Sequence, residues 1–172
     1  MYGMFNNCKL FNCNLSNWNV DNVTDMSLMF INCKNFTGDG LEKWNVNNTN
    51  IFRMFTSCEK LDCNLSNWNV DNVTDMSRLF QDCFLFNCDL SNWNVDNVTD
   101  MSLMFLCCKN FTGEGLEKWN VDNVTDMSWM FSGCENFICK GLNKWNVNNG
   151  IYMSGMFDNC YKLKRKPSWY KK

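Results

Sequence analysis

Leu15-Ser16-Asn17-Trp18-Asn19-Val20-Asp21-Asn22-Val23-Thr24-Asp25-Met26-Ser27-Leu28-Met29-Phe30-Ile31-Asn32-Cys33-Lys34-Asn35-Phe36 is the stretch that decides how the chain is built. Its apolar frame is LxxWxVxxVxxMxxMFxxCxxF. The core of that frame, SNWNVDNVTDMS, stands at 16–27, 66–77 and 91–102, and EKWNVDNVTDMS stands at 117–128. Cys8, Cys33, Cys58, Cys83, Cys108, Cys134 and Cys160 keep one phase, and Phe5, Phe30, Phe55, Phe80, Phe105, Phe131 and Phe157 keep another. Self-similarity at a fixed short period is the mark of stacked repeats, none of which buries its apolar side alone. Seven units of 25–26 residues are expected over residues 1–160, with a basic cap or tail over 161–172.

The spacing near Trp18–Val20 predicts a short strand. The apolar residues three and four apart between Asp25 and Cys33 predict helical or 3-10 turns, with Asp25 as N-cap. The expected fold is a repeat solenoid, leucine-rich-repeat-like, with a parallel β-sheet on one face and short helical or 3-10 turns on the other. Some units slip. Thr37-Gly38-Asp39-Gly40-Leu41 and Thr112-Gly113-Glu114-Gly115-Leu116 add a residue, and Asn47-Asn48-Thr49-Asn50 replaces DNVTD. Such slips should fall in loops.

The frame resembles the BspA-type leucine-rich repeats of bacterial and protist surface proteins. It is still more similar to the W-N-V-x-N-V-T-D-M-x-x-M-F repeat family first noted in mycoplasma proteins. The resemblance covers residues 1 to about 163. It implies a curved solenoid and a surface or interaction role, with no defined activity. The heavy use of Cys and Asn departs from the family pattern.

Composition narrows the function. The chain has 172 residues and 45% apolar residues, enough for a real core. No run is long and apolar enough to be a transmembrane segment, and no signal-peptide pattern opens the chain. Lys162, Lys164, Arg165, Lys166, Lys171 and Lys172 carry six positive charges, so the rest of the chain carries −8 against a total of −2. An acidic body predicts no nucleic acid along the solenoid.

With no His and no phosphate loop, and with every acid or thiol a copy of a column, the chain is expected not to be an enzyme and to use no cofactor. The 12 Cys include no CxxC pair, so metal ligands are not expected; buried thiols acting as small hydrophobes are. Cys13, Cys63, Cys88 and Cys139 form a second ladder in which Gly38 and Gly113 stand for Cys, a position for small side chains. Nine N-x-S/T sequons in a packed repeat argue against a eukaryotic secretory route, so a reducing intracellular compartment is favoured.

Asn19, Asn45, Asn69, Asn94, Asn120 and Asn146, between inward Trp and Val, should face out from the strand, beside Asp21, Asp71, Asp96 and Asp122. They are the candidate binding face. Met1-Tyr2-Gly3-Met4-Phe5 aligns with Met26-Ser27-Leu28-Met29-Phe30, so the chain starts in mid-unit, at a core column. Met4, Phe5, Phe11, Leu15 and Trp18 are therefore expected at an uncapped N-terminal edge, covered by a second copy stacked head to head or by another chain. The function these features predict is a scaffold for protein–protein interaction through its sheet face, rim loops or N-terminal edge. The alternative is a structural or surface-coat component, adhesin or virion protein.

Overall fold

The computed structural model describes residues 1–138 and 141–170. Cys139, in the second Cys ladder, and Lys171 and Lys172, in the basic tail, lie outside the described residues.

The chain climbs in seven layers, one for each of Phe5, Phe30, Phe55, Phe80, Phe105, Phe131 and Phe157. The expected parallel sheet is not there. Among the described residues no strand forms, and the only ladder-type pairings are four single-residue parallel bridges: Asp25 with Asn50, Asp75 with Asp100, Asp100 with Asp126, and Asp126 with Tyr152. The expected helical turns between Asp25 and Cys33 are absent as well. Two 3-10 segments occur instead at Leu116–Lys118 and Leu142–Lys144, just ahead of Trp119 and Trp145. The leucine-rich-repeat-like assignment falls with the sheet.

What replaces both elements is a succession of β-turns. In the second layer, Met29 N–H donates to Met26, Cys33 to Phe30 and Phe36 to Cys33; in the units beside it, Trp18 N–H donates to Leu15 and Val23 to Val20. Most apolar pairs three apart thus mark the first and last residue of one turn; Val23 and Met26 do not, as Met26 N–H donates to Asn50 of the next layer. The three-residue spacing that suggested a helix is the repeat of the turn. Extended backbone is impossible through this region because Leu28 has φ 59° and Asn32 has φ 61°, and the same two positions are left-handed in every layer.

Layers are joined by amides that alternate in direction. Leu28, Phe30 and Asn32 donate to Phe52, Met54 and Thr56 of the next layer, at 3.1, 2.9 and 2.8 Å. Met29, Ile31 and Cys33 donate back into their own turns.

The turn corners fill the interior. Phe30, Phe55, Phe80, Phe105 and Phe131 are fully buried, as are Met26, Met76, Met101 and Met127. Phe rings of successive layers stack at 5.5–5.8 Å. The tail does not leave the stack: Trp169 lies over Trp145 at 6.0 Å and half-buried Leu163 closes a turn on Cys160. No helix among the described residues is long and apolar enough to cross a membrane.

Candidate interaction surfaces

With no sheet, there is no sheet face for the Asn and Asp columns to line. Both columns are nonetheless exposed, on the turn that follows each Trp. The residue before a turn with a short polar side chain can accept the amide two positions on. Asn19 Oδ1 does so from Asp21 N–H at 2.9 Å, Asn45 from Asn47 at 3.2 Å, Asn69 from Asp71 at 3.0 Å, Asn94 from Asp96 at 3.1 Å and Asn120 from Asp122 at 3.2 Å. The oxygen of each Asn is therefore spent on its own turn. Asn146 instead donates its Nδ2 to Asp122 Oδ1 at 3.1 Å.

Asp25 has the same duty one turn later. Its Oδ1 accepts Ser27 N–H at 2.9 Å and Ser27 Oγ at 2.6 Å, and the serine hydroxyl holds its carboxyl below the usual carboxylate range. It starts a turn, not a helix.

A neighbouring column, which the sequence reading passed over, ties layers together. Asn97 Nδ2 donates to the Asp71 carbonyl at 2.7 Å and Asn123 to Asp96 at 2.7 Å, while Asn148, which stands in the Asp column itself, donates to the Asp122 carbonyl at 2.6 Å. The available signal was that DNV recurs with Asn invariant within this chain, while the preceding position alternates between Asp and Asn.

The cysteines have a structural task. From the second layer on, the thiols of the main column donate to the Phe carbonyl one layer back: Cys33 to Phe5 (3.0 Å), Cys58 to Phe30 (3.0 Å), Cys83 to Phe55 (3.1 Å), Cys108 to Phe80 (2.9 Å), Cys134 to Phe105 (2.9 Å) and Cys160 to Phe131 (3.0 Å). Burial pushes the Cys33 thiol up to about 11 and the Cys63 thiol to about 12, and holds Cys58, Cys83, Cys108 and Cys134 well above an ordinary thiol. Cys8, Cys13, Cys33, Cys58, Cys63, Cys83, Cys88, Cys107, Cys108 and Cys134 are free thiols. The second column is indeed tight: a Cβ on Gly38 would stand 2.4 Å from Cys63 Sγ. No group of three or more His, Cys, Asp or Glu among the described residues converges as a metal site.

At the N-terminal end the predicted residues part company. Met4 is 54% exposed, and Phe5, Phe11 and Trp18 are half-buried, with Phe11 stacked on Phe5 at 4.1 Å. Leu15 is not on the open edge. It is buried, its N–H donates to Asp39 of the next layer at 2.9 Å, and its carbonyl accepts from Trp44.

The surface also carries polar or charged recesses, two of which lie beside these columns and the basic segment. One, about 440 Å³, is lined in part by Asn48, Asn50, Asn72 and Asp75, where the second unit departs from DNVTD. The other, about 540 Å³, is lined by Ile138, Lys162, Lys164 and Arg165.

The family described as Mycoplasma protein of unknown function, DUF285, matches residues 1–114 and again residues 76–171. No curated protein and no solved structure matches the chain.

Proposed function

We propose that this chain, which belongs to the family described as Mycoplasma protein of unknown function, DUF285, is a non-enzymatic scaffold for protein–protein interaction. The observation that carries this reading is the pinned outer column. Asn19, Asn69, Asn94 and Asn120 are exposed, each is held in one rotamer by its turn amide, and each stands beside an exposed carboxylate, Asp21, Asp71, Asp96 or Asp122. The same pair of groups is thus offered at four levels of the stack with the asparagine already fixed in place, which favours binding. Exposed Met4 and half-buried Phe5, Phe11 and Trp18 offer a second, apolar contact surface. Thiols pushed well above the usual range are poor nucleophiles, which supports a role without catalysis. The WNVDNVTDM frame supports a finer kinship with the BspA-type surface repeats.

The test is photo-crosslinking from positions 69, 94 and 120, and from position 5, in cells of the source organism. A discrete protein adduct, weakened by Asp71→Lys and Asp96→Lys with the fold intact, is the expected result. Adducts confined to an envelope or particle would move the reading to a coat component. Failure to form any protein adduct from these positions would overturn it.

A further inference from the structure

One face of the stack is built differently from the Asn and Asp columns. In the second to sixth layers a turn is closed there by one bond: Ile31 N–H donates to Leu28, Thr56 to Arg53, Gln81 to Arg78, Leu106 to Leu103 and Ser132 to Trp129, at 3.1–3.3 Å. The first residue of each turn also donates to the next layer: Leu28 to Phe52, Arg53 to Ser77, Arg78 to Ser102 and Leu103 to Ser128. These rungs hold the first residues in file, about 4.8 Å apart. Arg78 Nη1 donates to Gln81 Oε1 at 3.2 Å, so both ends of that turn face the same way.

The two ends of the file are apolar. Leu28, Ile31, Leu103 and Leu106 are half-buried but lie outside the hydrophobic core, and Trp129 is 43% exposed. A Cβ on Gly155 would stand 2.7 Å from the indole of Trp129, so the glycine leaves that ring room to lie along the file.

Between these ends stand Arg53 and Arg78. Of the 16 basic residues in the chain only three are arginine, and these two sit one above the other where the layers on either side carry Leu. Neither is ion-paired among the described residues, although the chain as a whole is acidic. Arg78 reaches a neutral group, Gln81 Oε1, and Gln81 in turn donates Nε2 to Asp82 Oδ2 at 3.2 Å. Arg53 lies over the Phe52 ring, 5.9 Å from its centroid, with its Nε buried and without an acceptor. A buried donor left in this way has lost its water and gained no partner. The resting position of the Arg53 guanidinium is therefore one that a carboxylate can draw it out of at little cost.

We infer that this file is a docking surface for an extended protein segment whose carboxylates are flanked by apolar side chains. The carboxylates take the guanidinium forks of Arg53 and Arg78. The apolar side chains lie on Leu103 and Trp129 to one side and on Leu28 and Ile31 to the other. The planar fork of arginine meets a carboxylate through two parallel N–H bonds, which the point charge of lysine does not offer. Arginine and tryptophan are also the residues that most often anchor a protein interface. Four steps of about 4.8 Å give room for roughly six extended residues. A nucleic-acid strand fits less well, because the apolar ends offer nothing to its phosphates and Asp82 stands one contact behind Arg78. The surface is separate from the Asn and Asp columns and does not depend on them.

The test is selection of random twelve-residue peptides displayed on phage against the 172-residue chain. Clones that also bind Arg53→Gln/Arg78→Gln are discarded, and the synthetic peptides recovered are titrated by calorimetry. They should carry Asp or Glu with apolar residues on both sides. They should bind the double variant on the order of ten-fold more weakly than wild type, and lose affinity as salt is raised. Leu103→Asp should weaken them too. Arg53→Lys/Arg78→Lys keeps both charges without the forks and should also lose most of the affinity. Asp71→Ala/Asp96→Ala should leave binding unchanged, which separates this surface from the Asn and Asp columns. Thermal melts at the wild-type temperature show each variant folded. Recovery of no peptide that distinguishes wild type from Arg53→Gln/Arg78→Gln overturns the proposal. So does recovery of peptides without carboxylates, or a single-stranded oligonucleotide that binds as tightly as the peptides and displaces them.

Discussion

The indole N–H of Trp93 donates to the carbonyl of Leu65, one layer back, at 2.9 Å. The same bond joins Trp68 to Leu41, Trp119 to Leu90, Trp145 to Leu116 and Trp169 to Leu142, at 2.7–3.1 Å. A buried Trp is tolerated where its one polar atom finds a partner, and here the repeat supplies that partner at a fixed offset. Trp thus serves both as a stacked ring and as a clamp between layers.

Trp93→Ala should therefore cost about 3–5 kcal/mol in urea unfolding, the range for removing a large buried aromatic side chain. Trp93→Phe keeps a ring in the stack and leaves Leu65 only the Trp68 amide; about 1–2 kcal/mol is expected. Trp169→Ala should also destabilise measurably, because Trp169 is a clamped member of the column and not part of a loose tail. Asn94→Ala, which removes one exposed turn bond, should cost about 0.5–1 kcal/mol. Equal losses at Trp93 and Asn94 would contradict the placement of one inside and the other outside.

The period and the inward columns were legible in the sequence because they depend only on spacing: Phe30, Cys33 and Trp44 recur and are buried. The backbone between them was not. An apolar residue every third position fits a helical stripe, a leucine-rich strand-and-turn unit and a run of β-turns equally well. What separates them is the left-handed φ at Leu28, Arg53, Arg78, Leu103 and Trp129, and Leu, Arg and Trp give no sign of that conformation. The outward Asn and Asp columns were found, but their turn-capping bonds depend on where turns begin. Trp169 continues the Trp column although Pro167 and the lysines around it give it the look of a tail. Leu15 was misjudged because an extra loop residue, Asp39, reaches back to cover it.

Two glycines separate crowding from backbone strain. Gly40 and Gly150 have nearly equal left-handed φ, 91° and 93°. A Cβ on Gly40 would stand 2.2 Å from the Ser16 nitrogen and 2.8 Å from the Leu15 backbone, while a Cβ on Gly150 meets nothing within 4 Å. Gly150→Ala should cost only the strain of a side chain at positive φ, about 1–2 kcal/mol. Gly40→Ala adds a clash with backbone that cannot rotate away and should cost clearly more. Thermal melts of the two variants check this, and equal shifts would mean the loops at 37–41 can move off the layer below.

Thiol chemistry should sort the cysteines by layer position. Cys8 and Cys13 are exposed, and Cys58, Cys83, Cys108 and Cys134 are fully buried. Alkylation of the folded chain at neutral pH should mark Cys8 and Cys13 first and the buried four only on unfolding, read by peptide mass mapping. The protonated thiol is also the donor to the Phe carbonyl, so stability should depend on pH. The Cys33 thiol sits at about 11 in the folded chain against 9.0 for an ordinary one. A group whose folded value is raised contributes stability that is complete below its unfolded value and is lost as pH climbs to its folded one. The chain should therefore hold its stability up to about pH 9 and lose it progressively between 9 and 11, where the unfolded state ionises and the folded state resists. Cys83→Ala removes one such thiol; it should lower stability at pH 7 through the lost contact with Phe55 and reduce the fall in stability above pH 9. A variant with an unchanged alkaline slope would show that other groups, not the thiol column, govern the high-pH limit.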